Sequence, residues 1–257
     1  MSSVSAISHR LRNVDTKGVN KHVDDDQVDE ADHPPVLWTA IQEIALLESR
    51  LHRSEEQWVA SMLAAAKFRD DETAQHIQRM SRYAEILSRT ISEDGQDARS
   101  IRLASQLHDI GKIGIPDRIL MKVGSLTPEE AQVVRQHTII GRDILDAVDS
   151  AVADLAASIA CSHHERWDRG GYPQGLAGDD IPLAARISAI TDTFDALTTN
   201  RIYRKAYSLP TALRMMRAEQ GRQFDPQLLD AFFSVIDEIM NVFYEFPDGD
   251  PVRGTPH

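Results

Sequence analysis

Five of the ten histidines fall on stretches where apolar residues recur at helical spacing, which predicts helix faces turned toward an interior. Three carboxylates accompany them, and one lies four residues before a histidine, so that both side chains emerge on one helix face. Taken singly, each histidine fits an ordinary core position. However, burying so many imidazoles without partners is costly, and convergence on a metal centre would satisfy them together. The side chains are Glu72, His76, His108, Asp109, His137, His163, His164 and Asp192.

The donor types restrict the metal. Imidazole nitrogens and carboxylate oxygens without sulfur suit Fe, Mn, Ni, Co or Zn in an open catalytic site. Eight ligands are too many for one ion. Two ions take about six or seven with a bridging carboxylate, so that eight leave room for three. The chain therefore predicts a centre of two or three ions.

Composition excludes several other classes of protein. Cys161 is the single cysteine, which excludes an internal disulfide and a thiolate cluster. The chain has 28 Lys and Arg against 40 Asp and Glu, a formal charge of −12, which disfavours binding to duplex nucleic acid. It shows neither an apolar run long enough to span a membrane nor a signal peptide. The cytoplasm is the expected location.

Helices must position the predicted ligands, because helical periodicity runs through most of the chain and strand signals are scarce. Thr127 and Glu130 predict a capping box that opens a helix carrying His137. From Gly170 to Pro182 the chain predicts a glycine- and proline-rich loop, followed by a helix carrying Asp192. Asp225 precedes a last helix predicted to run through about residue 244. The fold class is therefore all-α.

The two ends of the chain differ from its middle. Residues 1–35 predict a disordered acidic tail, and residues 247–257 a C-terminal tail. Residues 36–69 predict a linker or dimerisation helix, with Leu37, Ile44, Leu51 and Trp58 spaced seven residues apart. This seam fits a homodimer formed through residues 36–68 and equally a helix packed on its own domain.

Four separated motifs then carry a family resemblance: HDIGKIGIP at 108–116, HHERWD at 163–168, GYP at 171–173 and DTFDALT at 192–198. Together they resemble the HD-GYP family of bacterial phosphodiesterases, a branch of the HD phosphohydrolases, over about residues 70–246. The resemblance implies an HD-type helical bundle preceded by a long N-terminal helix. It also implies hydrolysis of cyclic di-GMP to pGpG and GMP by a hydroxide that bridges two ions, with iron or manganese as the metal.

The resemblance also implies roles for particular residues. All eight side chains named above become metal ligands. Among them, Asp109 would bridge two ions and Glu72 matches a glutamate of the three-metal members. Arg169 stands where the family usually has glycine, which is awkward for arginine if the position needs a positive φ. The implied catalytic residues are Asp109 and Lys112, and the implied substrate contacts are Lys112, Arg201, Arg204, Tyr172, Pro173 and Asp195.

Two alternative functions are also compatible with the sequence. The chain could be a noncatalytic sensor or scaffold that binds cyclic di-GMP or a partner such as a diguanylate cyclase, which would contact the loop from Gly170 to Pro182. It could also be a hydrolase of another cyclic dinucleotide, such as cyclic GMP-AMP. The complete set of predicted ligands favours a hydrolase.

Overall fold

The structure is a computed structural model that describes residues 35–67, 73–92, 98–200 and 204–247. Within these ranges the chain is all-α, as predicted, and no strand occurs; Gln220 and Phe224 form an isolated bridge. No helix in the described part has both the length and the apolar character needed to cross a bilayer. The predicted tails lie outside the described residues except for Pro35, which begins the first helix, and Pro247. Glu72 and Arg201 also lie outside the described residues.

In the part of the chain that the structure describes, α-helices are accompanied by two short 3₁₀ segments, Ile110–Gly114 and Gly178–Asp180. The α-helices are α1 (Pro35–Ala66), α2 (Ala74–Ile91), α3 (Ala98–Ser105), α4 (Asp117–Leu120), α5 (Pro128–Arg135), α6 (His137–Leu145), α7 (Ala151–Ser162), α8 (Leu183–Thr198), α9 (Leu209–Ala218), α10 (Pro226–Ser234) and α11 (Ile236–Glu245).

Side-chain caps fix where several helices begin. The hydroxyl of Thr73 accepts from the backbone N–H of His76, which starts α2 just before its first metal-ligand candidate. The predicted capping box at α5 is present, since Thr127 and Glu130 each accept from the other's backbone N–H. Asp225 caps α10 by accepting from two backbone N–H groups of its first turn.

Two helices predicted as continuous are broken. The predicted helix after Thr127 ends at Arg135, and α6 begins at His137, with Gln136 bonded to the carbonyl of Val133 in a tight turn. The predicted last helix breaks at Val235 into α10 and α11. Periodicity missed both breaks because the apolar positions stay on one face across each of them.

The core of residues 58–247 lies among α2, α3, α7 and α8, which pack on one another. At its centre Phe194 lies edge-on to Tyr83 at 5.6 Å and to Phe232 at 5.1 Å between ring centroids. The 3₁₀ segment Ile110–Gly114 packs on α6 so closely that a Cβ on Gly111 would lie 1.9 Å from the carbonyl oxygen of His137. Glycine is therefore required there, and it brings the two segments that carry ligands together.

The heptad seam of α1 divides at Trp58. From this residue onward the helix packs on its own core, with Val59 fully buried and Met62 and Leu63 against the same cluster. Residues 35–57 form a separate unit, in which Ile44 and Leu51 are exposed. The last turns of α1 therefore fit the interpretation of a helix packed on its own domain. The apolar residues before Trp58 are exposed and do not fit it.

Candidate metal centre

The fold brings together the predicted ligands that lie in its described part. His76 sits in the first turn of α2, and His108 and Asp109 sit in the turn between α3 and the first 3₁₀ segment. The other ligands come from α6, the end of α7 and the middle of α8; they are His137, His163, His164 and Asp192. Helices far apart in sequence therefore supply one centre.

The donor atoms form two groups, and within each group they lie within 4.8 Å of one another. We call them the four-ligand group and the three-ligand group. The four-ligand group contains Asp109, His137, His163 and His164, and the three-ligand group contains His76, His108 and Asp192.

Asp109 lies between the two groups. Its Oδ1 is 3.1 Å from Nε2 of His137 and 3.7 Å from Nε2 of His163. Its Oδ2 is 3.3 Å from Nε2 of His108, in the three-ligand group. One carboxylate thus turns one oxygen to each group, as a bridging ligand requires.

Backbone carbonyls orient three of the imidazoles. Nδ1 of His108 donates to Ser105 at 3.0 Å, and Nδ1 of His137 donates to Val134 at 2.7 Å. Nδ1 of His163 lies 3.1 Å from two carbonyls of α7. Because a carbonyl only accepts, the proton sits on Nδ1 and the Nε2 lone pair faces the centre.

Buried polar atoms without partners support a metal. Oδ1 of Asp109 and Nε2 of His137 and of His163 are buried, and none has a hydrogen-bond partner within the described part of the chain. Leaving such atoms unsatisfied is unfavourable, whereas coordination to a cation satisfies all three. The residues present therefore fit divalent ions held by imidazole and carboxylate donors.

The protonation states also suit coordination. Burial lowers the pKa of His163 to about 4 and that of His164 to about 2, so both imidazoles are neutral at pH 7. Burial alone would raise the pKa of Asp109, but the ammonium of Lys112 and the neighbouring His108 hold it well below its usual value. Neutral imidazoles beside an ionised carboxylate are the forms that bind metal.

His76 is oriented differently from the other imidazoles. Its Nδ1 lies 2.8 Å from Oδ2 of Asp195, a carboxylate on α8, and its Nε2 lies 3.6 Å from Oδ1 of Asp192. Asp195 is fully buried and is also paired with Arg79. These contacts give Asp195 a role beside His76, and its burial does not support the substrate contact expected from the sequence.

The loop from Gly170 to Pro182 folds back on the centre. The buried carboxylate of Glu165 accepts the backbone N–H groups of Gln174, Gly175 and Leu176 at 2.7 to 3.1 Å. Tyr172 stacks on the ring of His164 at 4.8 Å, and the cis peptide bond between Tyr172 and Pro173 follows. Sequence reasoning missed Glu165, because nothing in its type or spacing indicates three backbone partners.

The two basic residues among the predicted substrate contacts that the structure describes lie in different places. Nζ of Lys112 lies 2.8 Å from Oδ2 of Asp109, so its charge stands beside the ligands. Arg204 instead donates to the carbonyl of Ala196 at the end of α8 and lies over the ring of Tyr207. In this structure Lys112 is at the centre, and the guanidinium of Arg204 is occupied at a helix end.

A cavity of about 160 Å³ adjoins Asp109. Its walls come from the last turn of α1, the first turns of α2 and the segment before the 3₁₀ helix. Most of its lining is apolar; Gln78 and Gln106 add carboxamides, and Lys67 and Asp109 add charged groups. A mostly apolar cavity with a few polar groups suits a planar organic group.

Comparisons with known proteins identify the family. The sequence model of the family described as HD domain matches residues 51–228. The chain is 40% identical over 185 residues to a cyclic di-GMP phosphodiesterase of Thermotoga maritima, an alignment that covers 72% of this chain and 50% of that protein. It is 36% identical over 198 residues to 3'3'-cGAMP-specific phosphodiesterase 2 of Vibrio cholerae, covering 77% and 38% respectively.

A solved structure shares the fold. The crystal structure of a cyclic GMP-AMP-specific phosphodiesterase of Vibrio cholerae, V-cGAP3, superposes with a TM-score of 0.54 at 18% identity, over 77% of this chain and 54% of that one. The chain spans about half the length, or less, of the curated relatives described above. Because the family model matches residues 51–228, well over half of the sequence, the chain belongs to the HD domain family.

Proposed function

We propose that this chain is a metal-dependent phosphodiesterase that hydrolyses cyclic di-GMP to pGpG and GMP. The observation that carries the proposal is the position of Asp109, whose two oxygens face two separate ligand groups. Two divalent ions so held supply an activated water and neutralise charge at a phosphodiester. The 40% identity to a cyclic di-GMP phosphodiesterase supports the choice of substrate.

The chain's own residues place the substrate. Lys112 stands 2.8 Å from Asp109 and offers an ammonium to the phosphate oxygens that approach the ligand groups. The neighbouring cavity accepts a nucleobase, because most of its lining is apolar, it lies beside Asp109, and the carboxamides of Gln78 and Gln106 line it. Tyr172 covers His164 and keeps bulk water from that side of the centre.

We infer that the ions are iron, or alternatively manganese, and that they number two or three. The seven described ligands fall into two groups, which supports two ions. Glu72 would complete a third position, as the sequence predicted. Elemental analysis of protein purified without oxygen should give three ions per chain, and Glu72→Ala should lower the number to two. An equal count in both proteins would contradict the third site.

The activity is tested by incubating the protein, loaded with Fe(II) or Mn(II) under reducing conditions, with cyclic di-GMP and separating the nucleotides by chromatography. We expect pGpG to appear first and GMP to follow. Unchanged cyclic di-GMP, in protein shown to hold its metal, would exclude the hydrolase. If the nucleotide bound tightly in that experiment, it would establish the sensor or scaffold instead, and binding assays with a diguanylate cyclase would follow.

Cyclic GMP-AMP is the second candidate substrate. The observation in its favour is the 36% identity to a 3'3'-cGAMP-specific phosphodiesterase. Both substrates share the phosphodiester ring and differ in one base, so the centre accepts either in principle and the base pocket decides between them. Competition between the two at limiting enzyme should consume cyclic di-GMP first; preferential loss of cyclic GMP-AMP would reverse the assignment.

A further inference from the structure

Asp195 and Arg79 form a buried pair next to the three-ligand group. The Nε of Arg79 donates to Oδ1 of Asp195 at 2.6 Å, and its Nη2 donates to Oδ2 at 2.9 Å. Arg79 is 1% exposed and Asp195 is fully buried. A two-pronged pair of this kind fixes the carboxylate in both position and rotation.

The same carboxylate holds His76. Oδ2 of Asp195 accepts from Nδ1 of His76 at 2.8 Å, so that Nε2 of His76 carries the lone pair and points toward Asp192. The imidazoles of His108, His137 and His163 are held by carbonyls three or four residues earlier in the chain. The Nδ1 partner of His76 comes instead from α8, a different helix.

Arg79 extends the contact to the end of the last helix. Its Nη1 donates to the backbone carbonyl of Phe246 at 2.7 Å, and its guanidinium lies 5.9 Å from the ring of Phe243 on α11. The guanidinium is thereby shared between Asp195 and the residues that end α11. A shift of that helix end would move Arg79 and, through Asp195, the ring of His76.

We propose that Asp195 and Arg79 are positioning residues for the metal ligand His76, and that through it they set the metal affinity of the three-ligand group. The inference rests on the metal centre of the proposed function and does not depend on the identity of the substrate. Partners that hold the outer nitrogen of a metal-bound imidazole typically change metal affinity about 10- to 100-fold when they are removed.

The test is Mn²⁺ binding by the purified chain, measured by titration and by elemental analysis. Asp195→Asn keeps the shape of the side chain and removes its charge. We expect the affinity of one ion to fall by about 10- to 100-fold, while the ion in the four-ligand group keeps its affinity. Arg79→Gln should produce the same selective loss, and Arg79→Lys, which retains a cation, should restore part of it.

Arg89→Ala is the matched control. Arg89 lies on α2 like Arg79 and pairs with Glu238 of α11 at 2.7 Å, but the pair is half-exposed and touches neither Asp195 nor His76. It removes a link between the same two helices, so Mn²⁺ binding should remain unchanged. If the Asp195 and Arg79 variants bound both ions with equally reduced affinity, or if Arg89→Ala also reduced Mn²⁺ affinity, the role of the pair would be purely structural.

Nitrogen-15 NMR of the metal-free protein gives a second measurement that does not need the variants to bind metal. In the unsubstituted protein the imidazole of His76 should be protonated at Nδ1 and unprotonated at Nε2. Asp195→Asn should mix the two tautomers of His76 and leave His137 unchanged. A His76 protonated at Nε2 in the unsubstituted protein would overturn the proposal, whether or not cyclic di-GMP is hydrolysed.

Discussion

Each carboxylate oxygen of Asp109 faces a different group of ligands, which sets this residue apart from the other members of the centre. His137 and His163 lie on one side of it and His108 on the other. The sequence identified Asp109 as the bridging carboxylate only through a family resemblance. The structure supplies an independent reason, because the distances alone show that its two oxygens face different groups of ligands.

Asp109→Ala should abolish hydrolysis of cyclic di-GMP, because it removes a ligand from both ions at once and withdraws the charge that holds Lys112 beside them. Metal content should fall below two ions per chain. The measurements are turnover by chromatography and elemental analysis. Asp143→Ala is the control, since Asp143 is an exposed partner of Arg142 and should leave both quantities unchanged. Turnover retained by the Asp109 variant would mean that another residue bridges the ions.

Acid should destabilise the metal-free protein between about pH 6.5 and pH 4. Burial lowers the pKa of His163 to about 4 and that of His164 to about 2, whereas an unfolded histidine titrates near 6.5. The unfolded chain therefore binds more protons in this window, and stability falls as the pH falls, by up to about 1.4 kcal/mol per pH unit for each histidine. Above pH 6.5 neither residue contributes to the pH dependence of the free energy of unfolding.

Urea unfolding of the metal-free protein at pH 7.5, 6.0 and 5.0 measures this effect. His164→Asn should reduce the slope, because it removes one of the two suppressed protonations. His52→Asn is the control, since His52 lies exposed on α1. A free energy of unfolding that is constant across the window would show that the two histidines titrate normally.

At the scale of the loop, Arg169 is the position where sequence and backbone disagree. It has φ of 71°, and among the described residues it is alone among non-glycines in having a positive φ. A residue with a Cβ is strained by about 1–2 kcal/mol in this region. Glycine avoids this strain, but it loses more conformational entropy on folding, which costs about 0.5–1 kcal/mol. The difference favours glycine.

Arg169→Gly should therefore raise the free energy of unfolding by about 0.5–1 kcal/mol. Denaturant unfolding of the metal-free protein measures the change. Arg222→Gly makes the same replacement at an exposed position without a positive φ, and should lower the stability. If both variants were destabilised alike, the positive φ of Arg169 would carry no strain.

Local signals predicted the elements well where one residue decides the outcome. The capping box of Thr127 and Glu130 and the cap of Asp225 are present, because a short polar side chain next to free N–H groups has few other partners. The breaks at Gln136 and Val235 were missed, because the apolar positions keep to one helix face across them and neither position carries a proline or glycine.

The site divides in the same way. Histidines on apolar faces are visible in the sequence, and their described members converge as predicted. The partners that hold them are not visible. Asp195 resembles any aspartate of a helix until its distance to Arg79 is known, and Glu165 resembles a surface glutamate until its three backbone partners are known. Such contacts join residues of different segments, and one sequence has no periodicity that encodes them.

At the scale of the molecule, the formal charge of −12 is compatible with a small anionic substrate. The ligand groups gather carboxylates and neutral imidazoles that bound cations would turn locally positive, and Lys112 adds a fixed charge beside them. A cyclic dinucleotide needs this positive charge only at its phosphates. A polynucleotide would need it along a whole surface, which the acidic composition does not offer.

The oligomeric state is one more property of the whole molecule, and residues 35–57 bear on it because their apolar side chains could form a homodimer. Ile44, Leu47 and Leu51 follow the i, i+3, i+7 spacing of a single helix face, and they are 42%, 55% and 59% exposed. Full burial of such a side chain is worth about 1.5–3 kcal/mol, and about half of each is still exposed. The six side chains of two copies would therefore contribute roughly 5–9 kcal/mol, which is comparable to the cost of association of order 4–15 kcal/mol. A second copy of this chain is the partner in one of the two interpretations that the heptad spacing leaves open.

We expect the purified protein to be a dimer by light scattering at micromolar concentration, and Leu47→Lys with Leu51→Lys to convert it to a monomer with its helix content intact. Met121→Lys with Val123→Lys is the matched control, because these two apolar residues are 60% and 88% exposed but lie outside α1. The control should remain dimeric. A monomeric unsubstituted protein, or dissociation by the control pair alone, would remove α1 as the dimer interface, because the heptad spacing would then have no partner in solution.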